Sequence, residues 1–594
     1  VNRDKDRILQ LTFIMLTFLL ILAAQPIVAS TDSGRPDRTP ELQGGVRNWI
    51  EELKGVVAYD IQEKVPLALL ALERAPESYL ELMRQHLDLF ENEQGELMIE
   101  VLVRSYEDPA EMARISGLSI ETRIGDIFTC RLPLHRLTAL ARLKGVVTIE
   151  PSVRLMPLLD KSIVDNKTHL VWLKTGTTPP VYKGLSGKGV LIGLVDSGID
   201  WTHPDFIRPN YSYESRIESI WDQNLSKDLD ESVPAGFSYG VEYTRFMLNN
   251  KLAGNSGVID VRHSDSDGHG THVAGIAAGN GASSGNPSYK PAYTYIGMAP
   301  EASLVVVASD YTSAGVVDGV QYIMDKRDQL AIPVAINLSL GSHYGAHDGT
   351  SLFEQALDAF VGVGKMIVAA AGNDQQLGFH ASGTLSTSTT TSVGISIPVY
   401  TPRSGSSNDF VLSNLWYDGG NSIEVNLAFF NGTTRTVIAS TTTGNSDLQI
   451  SSAGTALVDC TATNNSNGDQ MCLIELYDSS ASQPPWSGQW YIDIRGISLT
   501  GSNQFDAWIH GTDFNGNYAR FTTGRDNSKL VAIPATANKI TAAGAYTTKA
   551  CCDAKDGANY CEPAASEDAI ATFSAHGPTR DGRHKPDISA AGEV

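Results

Sequence analysis

Apolar runs without a polar break recur along the middle of this chain, and they read as strands buried on both faces. Gly189-Val190-Leu191-Ile192-Gly193-Leu194-Val195 is one, and Lys365-Met366-Ile367-Val368-Ala369-Ala370-Ala371 is another. Such runs, lacking the alternation of a half-exposed strand, suit a parallel sheet covered by helices on both sides. Residues 302–309 and 332–340 predict further strands, with a helix over 315–324 between them. Strand and helix in alternation predict an α/β domain. Ser351, with Glu354 three residues on, reads as a capping box opening a helix over 352–361.

The patterns before and after this region differ. Residues 46–93 carry helical spacing, as at Leu80, Met83, Leu87 and Phe90. Then Leu97–Val103 reads as a strand, 109–115 as a short helix, 120–123 and 127–132 as a strand pair turning at Gly125-Asp126, 135–143 as a helix and 146–149 as a strand. That βαββαβ order predicts a ferredoxin-like α+β domain over about residues 95–152. From about 395 to 525 the chain turns to Ser, Thr, Asn and Gly, with short alternating segments at 410–416, 422–430, 435–440, 448–452, 456–460, 472–477, 490–495 and 505–510. Close spacing with turn residues between predicts a β-sandwich. The α/β signal resumes at 530–545, so the sandwich reads as an insertion between 165–394 and 526–594. Trp416, Trp486, Trp490 and Trp508 fall within or beside its strands; core packing is expected of them before a binding role.

Length and charge narrow the class. At 594 residues the chain exceeds a single domain. A net charge of −22 argues against nucleic acid as a partner and for a soluble, secreted protein. Residues 2–7 are charged, 8–24 are largely apolar, and Ile27-Val28-Ala29-Ser30 offers small residues for cleavage. Residues 1–30 therefore read as a signal peptide, with an uncleaved membrane anchor as the alternative. No later segment has the length and apolarity to span a bilayer. An oxidising compartment permits disulfides among Cys130, Cys460, Cys472, Cys551, Cys552 and Cys561. Cys460 and Cys472 are the expected pair; Cys561 is expected to join Cys551 or Cys552.

Chemistry concentrates at three places. Asp196 closes the first apolar run, at the carboxyl end of a strand, where open α/β sheets place their sites. His269 lies in Asp267-Gly268-His269-Gly270-Thr271-His272-Val273-Ala274-Gly275, where a loop feeds a small-residue helix and an imidazole suits proton transfer. His272 is expected to pack. A zinc reading is disfavoured, because no glutamate follows the first histidine. Asn373 follows the second apolar run in Gly372-Asn373-Asp374.

The motifs DSGIDWTHPDF, DGHGTHVAG and AAAGND, in that order, resemble the subtilisin-like (subtilase) family of serine peptidases. The resemblance implies a parallel sheet with helices on both faces, with the α+β segment as a propeptide spanning 31–160 and cleaved near 152–165. It implies Asp196 as the carboxylate that orients His269, His269 as general base, and Asn373 as oxyanion donor. It also implies that Ser339, Leu340 and Gly341 form an edge that pairs with substrate backbone. Protein or peptide substrates, inhibition by the chain's own propeptide, and a secreted or cell-surface location follow, without stable membrane association after leader removal. No cofactor is required, structural calcium is allowed, and no metal ligand is named.

Gly349-Thr350-Ser351 imitates the family's nucleophile motif, but it precedes Asn373 and is explained by the capping box. No nucleophile is therefore assigned in this chain, which is expected to be a fragment that cleaves no peptide bond by itself. Near the end, His576 stands where the family commonly has Arg or a small residue, and Ala591 where it usually has Pro. The competing reading is a non-catalytic secreted scaffold in which the sandwich is the working part.

Overall fold

The computed structural model describes residue 65, residues 89–92 and residues 95–593, apart from 152–155, 158–167, 176–178, 258, 284–291, 294, 465, 481, 549–550, 554–558, 562–565 and 567. The leader reading, most of the helical reading of 46–93 and most of the cleavage window lie outside the described residues. Two compact units are formed. One gathers Leu155–Gly341, Phe353–Gln375 and Val531–Val594; the other gathers residues up to Arg154, Ser342–Leu352 and Gln376–Leu530. Among the described residues, no helix is long and apolar enough to cross a membrane.

The first unit is built on an eight-stranded sheet. Its strands are β1 (Leu191–Asp196), β2 (Ile217–Asp222), β3 (Val241–Thr244), β4 (Ser303–Ala308), β5 (Val334–Leu338), β6 (Lys365–Ala370), β7 (Thr541–Thr547) and β8 (Ile588–Glu593). Their order is β3-β2-β4-β1-β5-β6-β7-β8. All neighbours are parallel except β2 and β3. Its helices include α1 (Arg245–Leu252), α2 (His269–Ala278) and α3 (Ser313–Leu330).

Side chains alternate across a strand, and that alternation puts α2 and α3 on opposite faces. Leu194 and Val306 share a core with Val273, Ala274 and Ala278 of α2. On the other face, Val195 and Val307 meet α3 at Gly319, and Gly193 meets it at Ile323. A Cβ at Gly193 would stand 2.6 Å from Ile323 Cγ2, so the glycine is what lets the helix approach this closely. Leu194, Val195, Val306 and Val307 are fully buried, each contributing roughly 1.5–3 kcal/mol of transfer free energy. The strand expected over 332–340 is interrupted at Ser339: β5 ends at Leu338, and Leu340–Gly341 pairs separately, antiparallel to Met156–Pro157.

In the second unit, strands Leu97–Ser105, Ser119–Ile124, Ile127–Pro133 and Val146–Pro151 pair antiparallel in the order 146–151, 97–105, 127–133, 119–124. Phe90, read above as helical, lies in strand Leu89–Glu91 against the long apolar strand at Leu97–Ile99. Pairing there overrides local helical spacing.

Residues 380–521 form two antiparallel sheets, one of six strands and one of five. Val411, Leu415, Tyr417 and Ile474 of the first share a core with Ile423, Val425, Trp490 and Ile492 of the second. Alternate residues of the first sheet, Trp416, Leu473 and Trp508, pack on its other face with Ala346. That sheet is therefore covered on both faces, which buries Trp416 and Trp508; Trp486 stays 39% exposed. Two strands begin before the expected start at 395, His380–Thr384 and Thr391–Ile397, paired to 504–513 and 488–499. His380–Thr384 carries little apolar signal of its own, whereas Thr391–Ile397 alternates Val393, Ile395 and Ile397 with small polar residues and buries all three in the core. Cys460 and Cys472 are disulfide-bonded. Cys130 is buried. The side chains of Cys551, Cys552 and Cys561 lie outside the described residues.

Candidate active site

Two elements of one sheet face bring the central pair together. β1 lies inside the sheet and delivers Asp196 at its carboxyl end, where the side chain is 1% exposed. α2 packs on β1 and begins with His269, behind Gly268 in the left-handed region at φ 84°. His269 Nδ1 lies 2.7 Å from Asp196 Oδ1, across 73 residues of sequence. A carboxylate only accepts, so Nδ1 carries a proton, and in the neutral ring Nε2 keeps the lone pair. Nε2 is buried and has no hydrogen-bond partner among the described residues; nor has Asp196 Oδ2.

A network holds the two in place. Ser197 N donates to Asp196 Oδ1 at 2.7 Å. Ser197 Oγ donates to Asp265 Oδ1 at 2.8 Å and accepts from Gly270 N at 2.8 Å. Asp265 also accepts from Gly268 N, Thr271 N and Thr271 Oγ1. Burial pushes the Asp265 carboxyl up, but these hydrogen bonds outweigh it and hold its pKa below the usual range. Thr271 Oγ1 in turn accepts from Asp200 N at 2.7 Å. The loop and the start of α2 touch backbone to backbone: a Cβ at Gly270 would lie 2.2 Å from Gly198 O. Tyr311 Oη donates to Asp196 Oδ1 at 3.4 Å. Burial, and then the charge of Asp196, push the Tyr311 hydroxyl up, so it stays protonated and a donor.

Sequence reasoning missed Asp265, Ser197, Thr271 and Tyr311. Asp265 had a signal, an acid four residues ahead of the histidine at a glycine-rich helix start; Tyr311 had none. His272 is exposed rather than packed, because α2 buries the stripe of Gly270, Val273, Ala274 and Ala278 and turns His272 away.

Asn373 follows β6, half-buried, after Gly372 at φ 113°. Its loop is anchored by Ala575 N on Gly372 O at 2.9 Å and by Gln375 N on Phe573 O at 3.2 Å. β1, β5 and β6 are successive parallel strands with Leu194, Asn337 and Val368 in register. Asp196 and Asn373 thus rise from the same end of the sheet, on strands about 10 Å apart. Ser339 is buried and its Oγ accepts from Asn337 Nδ2 at 2.9 Å. Leu340 and Gly341 pair with Pro157 and Met156 as an added strand. Ser351 immediately precedes the helix Leu352–Phe360. Among the described residues, no group of three or more His, Cys, Asp or Glu could hold a metal ion.

A family model described as the subtilase family matches residues 187–489 and 515–594. A subtilisin-like protease of Pseudogymnoascus destructans is 34% identical over 139 residues, 22% of this chain and 29% of its own length. A subtilisin-like protease of Arabidopsis thaliana is 28% identical over 40% of this chain and 29% of its own length. The major intracellular serine protease of Bacillus subtilis is 26% identical over 37% of this chain and 55% of its own length. The chain thus spans less than two thirds of each of these relatives. Among solved structures, that of the CspB protease of Clostridium perfringens covers 69% of this chain and 76% of its own at 23% identity, with a TM-score of 0.50, which speaks for the fold.

Proposed function

The chain belongs to the subtilase family, and from that premise we propose that the protein is a secreted serine endopeptidase working through an Asp-His-Ser triad. The observation that carries this reading is the 2.7 Å contact of His269 Nδ1 with Asp196, which leaves a buried Nε2 as an unpartnered base. In this reading, His269 takes the proton of a serine hydroxyl and later gives it to the leaving amine. Asp196 keeps the tautomer and stabilises the imidazolium. Asn373 donates its side-chain amide to the oxyanion, a contribution of about 10²–10³ in rate. No serine of the chain is assigned as nucleophile.

Leu340–Gly341 is the edge at which substrate backbone adds. Its antiparallel pairing with Met156–Pro157 supports this, because an extended segment is accommodated there. The same pairing supports reading residues 31–160 as a propeptide that occupies the edge until it is cleaved. The two-sheet region is taken as an insertion between two parts of the catalytic domain, and residues 1–30 as the leader.

The test is expression of the full reading frame with casein as substrate and mass spectrometry of the mature N-terminus. Hydrolysis that disappears in His269→Ala, with a mature start after residue 140, is expected. Full activity in His269→Ala would sink the mechanism. A stable protein without hydrolysis would favour the binding-scaffold alternative.

A further inference from the structure

We propose that Asp222 and His263 form a second, buried aspartate–histidine pair that positions the loop carrying Asp196. They would act as positioning residues for the hydrolysis proposed above, on which reading this inference rests. Asp222 closes β2, two strands from β1. His263 lies on the segment leading into α2. The imidazole is fully buried and the carboxylate is 8% exposed.

The hydrogen bonds fix the state of the ring. Ile199 N donates to His263 Nε2 at 3.1 Å. A backbone N–H cannot accept, so Nε2 is unprotonated and the ring proton sits on Nδ1. Nδ1 then donates to Asp222 Oδ2 at 2.6 Å. The other carboxylate oxygen, Oδ1, accepts from Asn224 N at 3.0 Å. Both oxygens are in use, and each imposes one direction on the bond it makes.

The ring reaches the site through the backbone. Gly198 and Ile199 directly follow Asp196 and Ser197. The imidazole lies flush against Gly198: a Cβ there would stand 2.5 Å from His263 Cε1, on a backbone at φ 132° that favours glycine. On its other side, Gly198 O faces Gly270, the neighbour of His269. The loop is thus held between His263 beneath and the start of α2 above. Asp265, two residues after His263, clamps Ser197 and Gly268. A displacement of about 1 Å in such a support can cost about a hundredfold in rate.

Asp222→Asn tests the pair through its proton. The amide has a single oxygen. If Asn224 N keeps it, the amide NH₂ faces Nδ1, the ring proton moves to Nε2, and Nε2–H then meets Ile199 N–H. Nitrogen-15 spectra of histidine-labelled protein read that tautomer, and proton spectra read the low-field Nδ1–H of His269. Kinetics are taken on the full-length protein. The expected result is Nδ1–H at His263 in wild type. In Asp222→Asn, Nε2–H is expected at His263, with the His269 signal shifted and kcat lowered at least tenfold at unchanged KM. His263→Gln, which retains an acceptor near Nε2, is expected within threefold of wild type; His263→Leu is expected to lose tenfold or more. A kcat within twofold of wild type in Asp222→Asn overturns the proposal, as do equal losses in His263→Gln and His263→Leu. Should Asp222→Asn fail to fold, the Gln and Leu pair decides alone. Should wild type hydrolyse nothing, the endopeptidase reading fails. The His269 signal across the same variants then decides: a shift in His263→Leu but not in His263→Gln supports the positioning role, and an unmoved signal refutes it.

Discussion

Lowering the pH from 7 to 4 should loosen the two-sheet unit through one ring, His510. The residue is buried, with the edge of Tyr344 at 5.1 Å between centroids and Asn414 Nδ2 at 3.0 Å from its Nδ1. The direction of that last contact is set from outside. Trp416 Nε1 donates to Asn414 Oδ1 at 2.6 Å, so the amide turns its NH₂ toward the ring and toward His343 O, which it meets at 3.0 Å. His510 Nδ1 is therefore an acceptor, and protonating it would set two donors face to face. Burial, and then the neighbouring His343, push its pKa down to about 3. The unfolded chain, with histidine near ~6.5, takes up the proton first. The stability conferred by the neutral ring is thus complete above ~6.5 and drains as pH falls toward ~3. At about 1.4 kcal/mol per pH unit, a fall from ~6.5 to 4 costs on the order of 3 kcal/mol. That is a large share of a typical margin of about 5–15 kcal/mol. Urea unfolding followed by tryptophan fluorescence at pH 7, 6, 5 and 4 measures it, in wild type and in His510→Leu. The variant's absolute stability also reflects the stranded Asn414 amide, so the slope against pH is the readout. The His380–Asp506–Lys529 group is the same in both proteins. The slope should flatten by about one proton between pH 6 and 4 in the variant. Slopes equal to within about a fifth of a proton would refute a neutral, accepting His510.

Other outcomes follow from single contacts. Asp196→Asn in the full-length protein should lower turnover on casein by about 10⁴, since an amide there favours the wrong tautomer of His269; a loss under about tenfold would remove Asp196 from its role. Gly270→Ala forces a Cβ to 2.2 Å from Gly198 O and should cost about 1–3 kcal/mol in a thermal melt. Gly275→Ala in the same helix meets nothing within 4 Å and should instead gain up to about 1 kcal/mol; equal midpoints would contradict the packing. Replacing Cys460 and Cys472 by Ser opens a loop of 12 residues and should lower the urea midpoint of the two-sheet unit by the equivalent of about 3 kcal/mol.

What the sequence reveals follows from how each feature is encoded. Long apolar runs announce strands, and Leu191–Asp196 and Lys365–Ala370 match theirs to within two residues at each end; the first is buried on both faces as expected, whereas in the second only Ile367 and Ala369 are buried and Met366 is exposed. Glu218 breaks the apolar character of Ile217–Asp222, and His380–Thr384 is mostly small and polar; these strands owe their state to neighbours already in the sheet. The site divides in the same way. Asp196 and His269 sit inside motifs of unusual composition, so residue type and setting mark both, although the contact between them spans 73 residues. Their supports carry no such mark. Ser197 N, Gly268 N, Gly270 N and Ile199 N do the holding, and a backbone N–H looks alike at every position of a sequence. Only the side-chain partners have an identity, and those lie where the topology brings them: the acceptor Asp265 beside its loop, the donor Tyr311 ahead of α3, and the acceptor Asp222 41 residues before the histidine it fixes. A reading that starts from chemistry finds the groups able to react. The groups that hold them in register become visible only once β2, β4 and β1 are laid side by side.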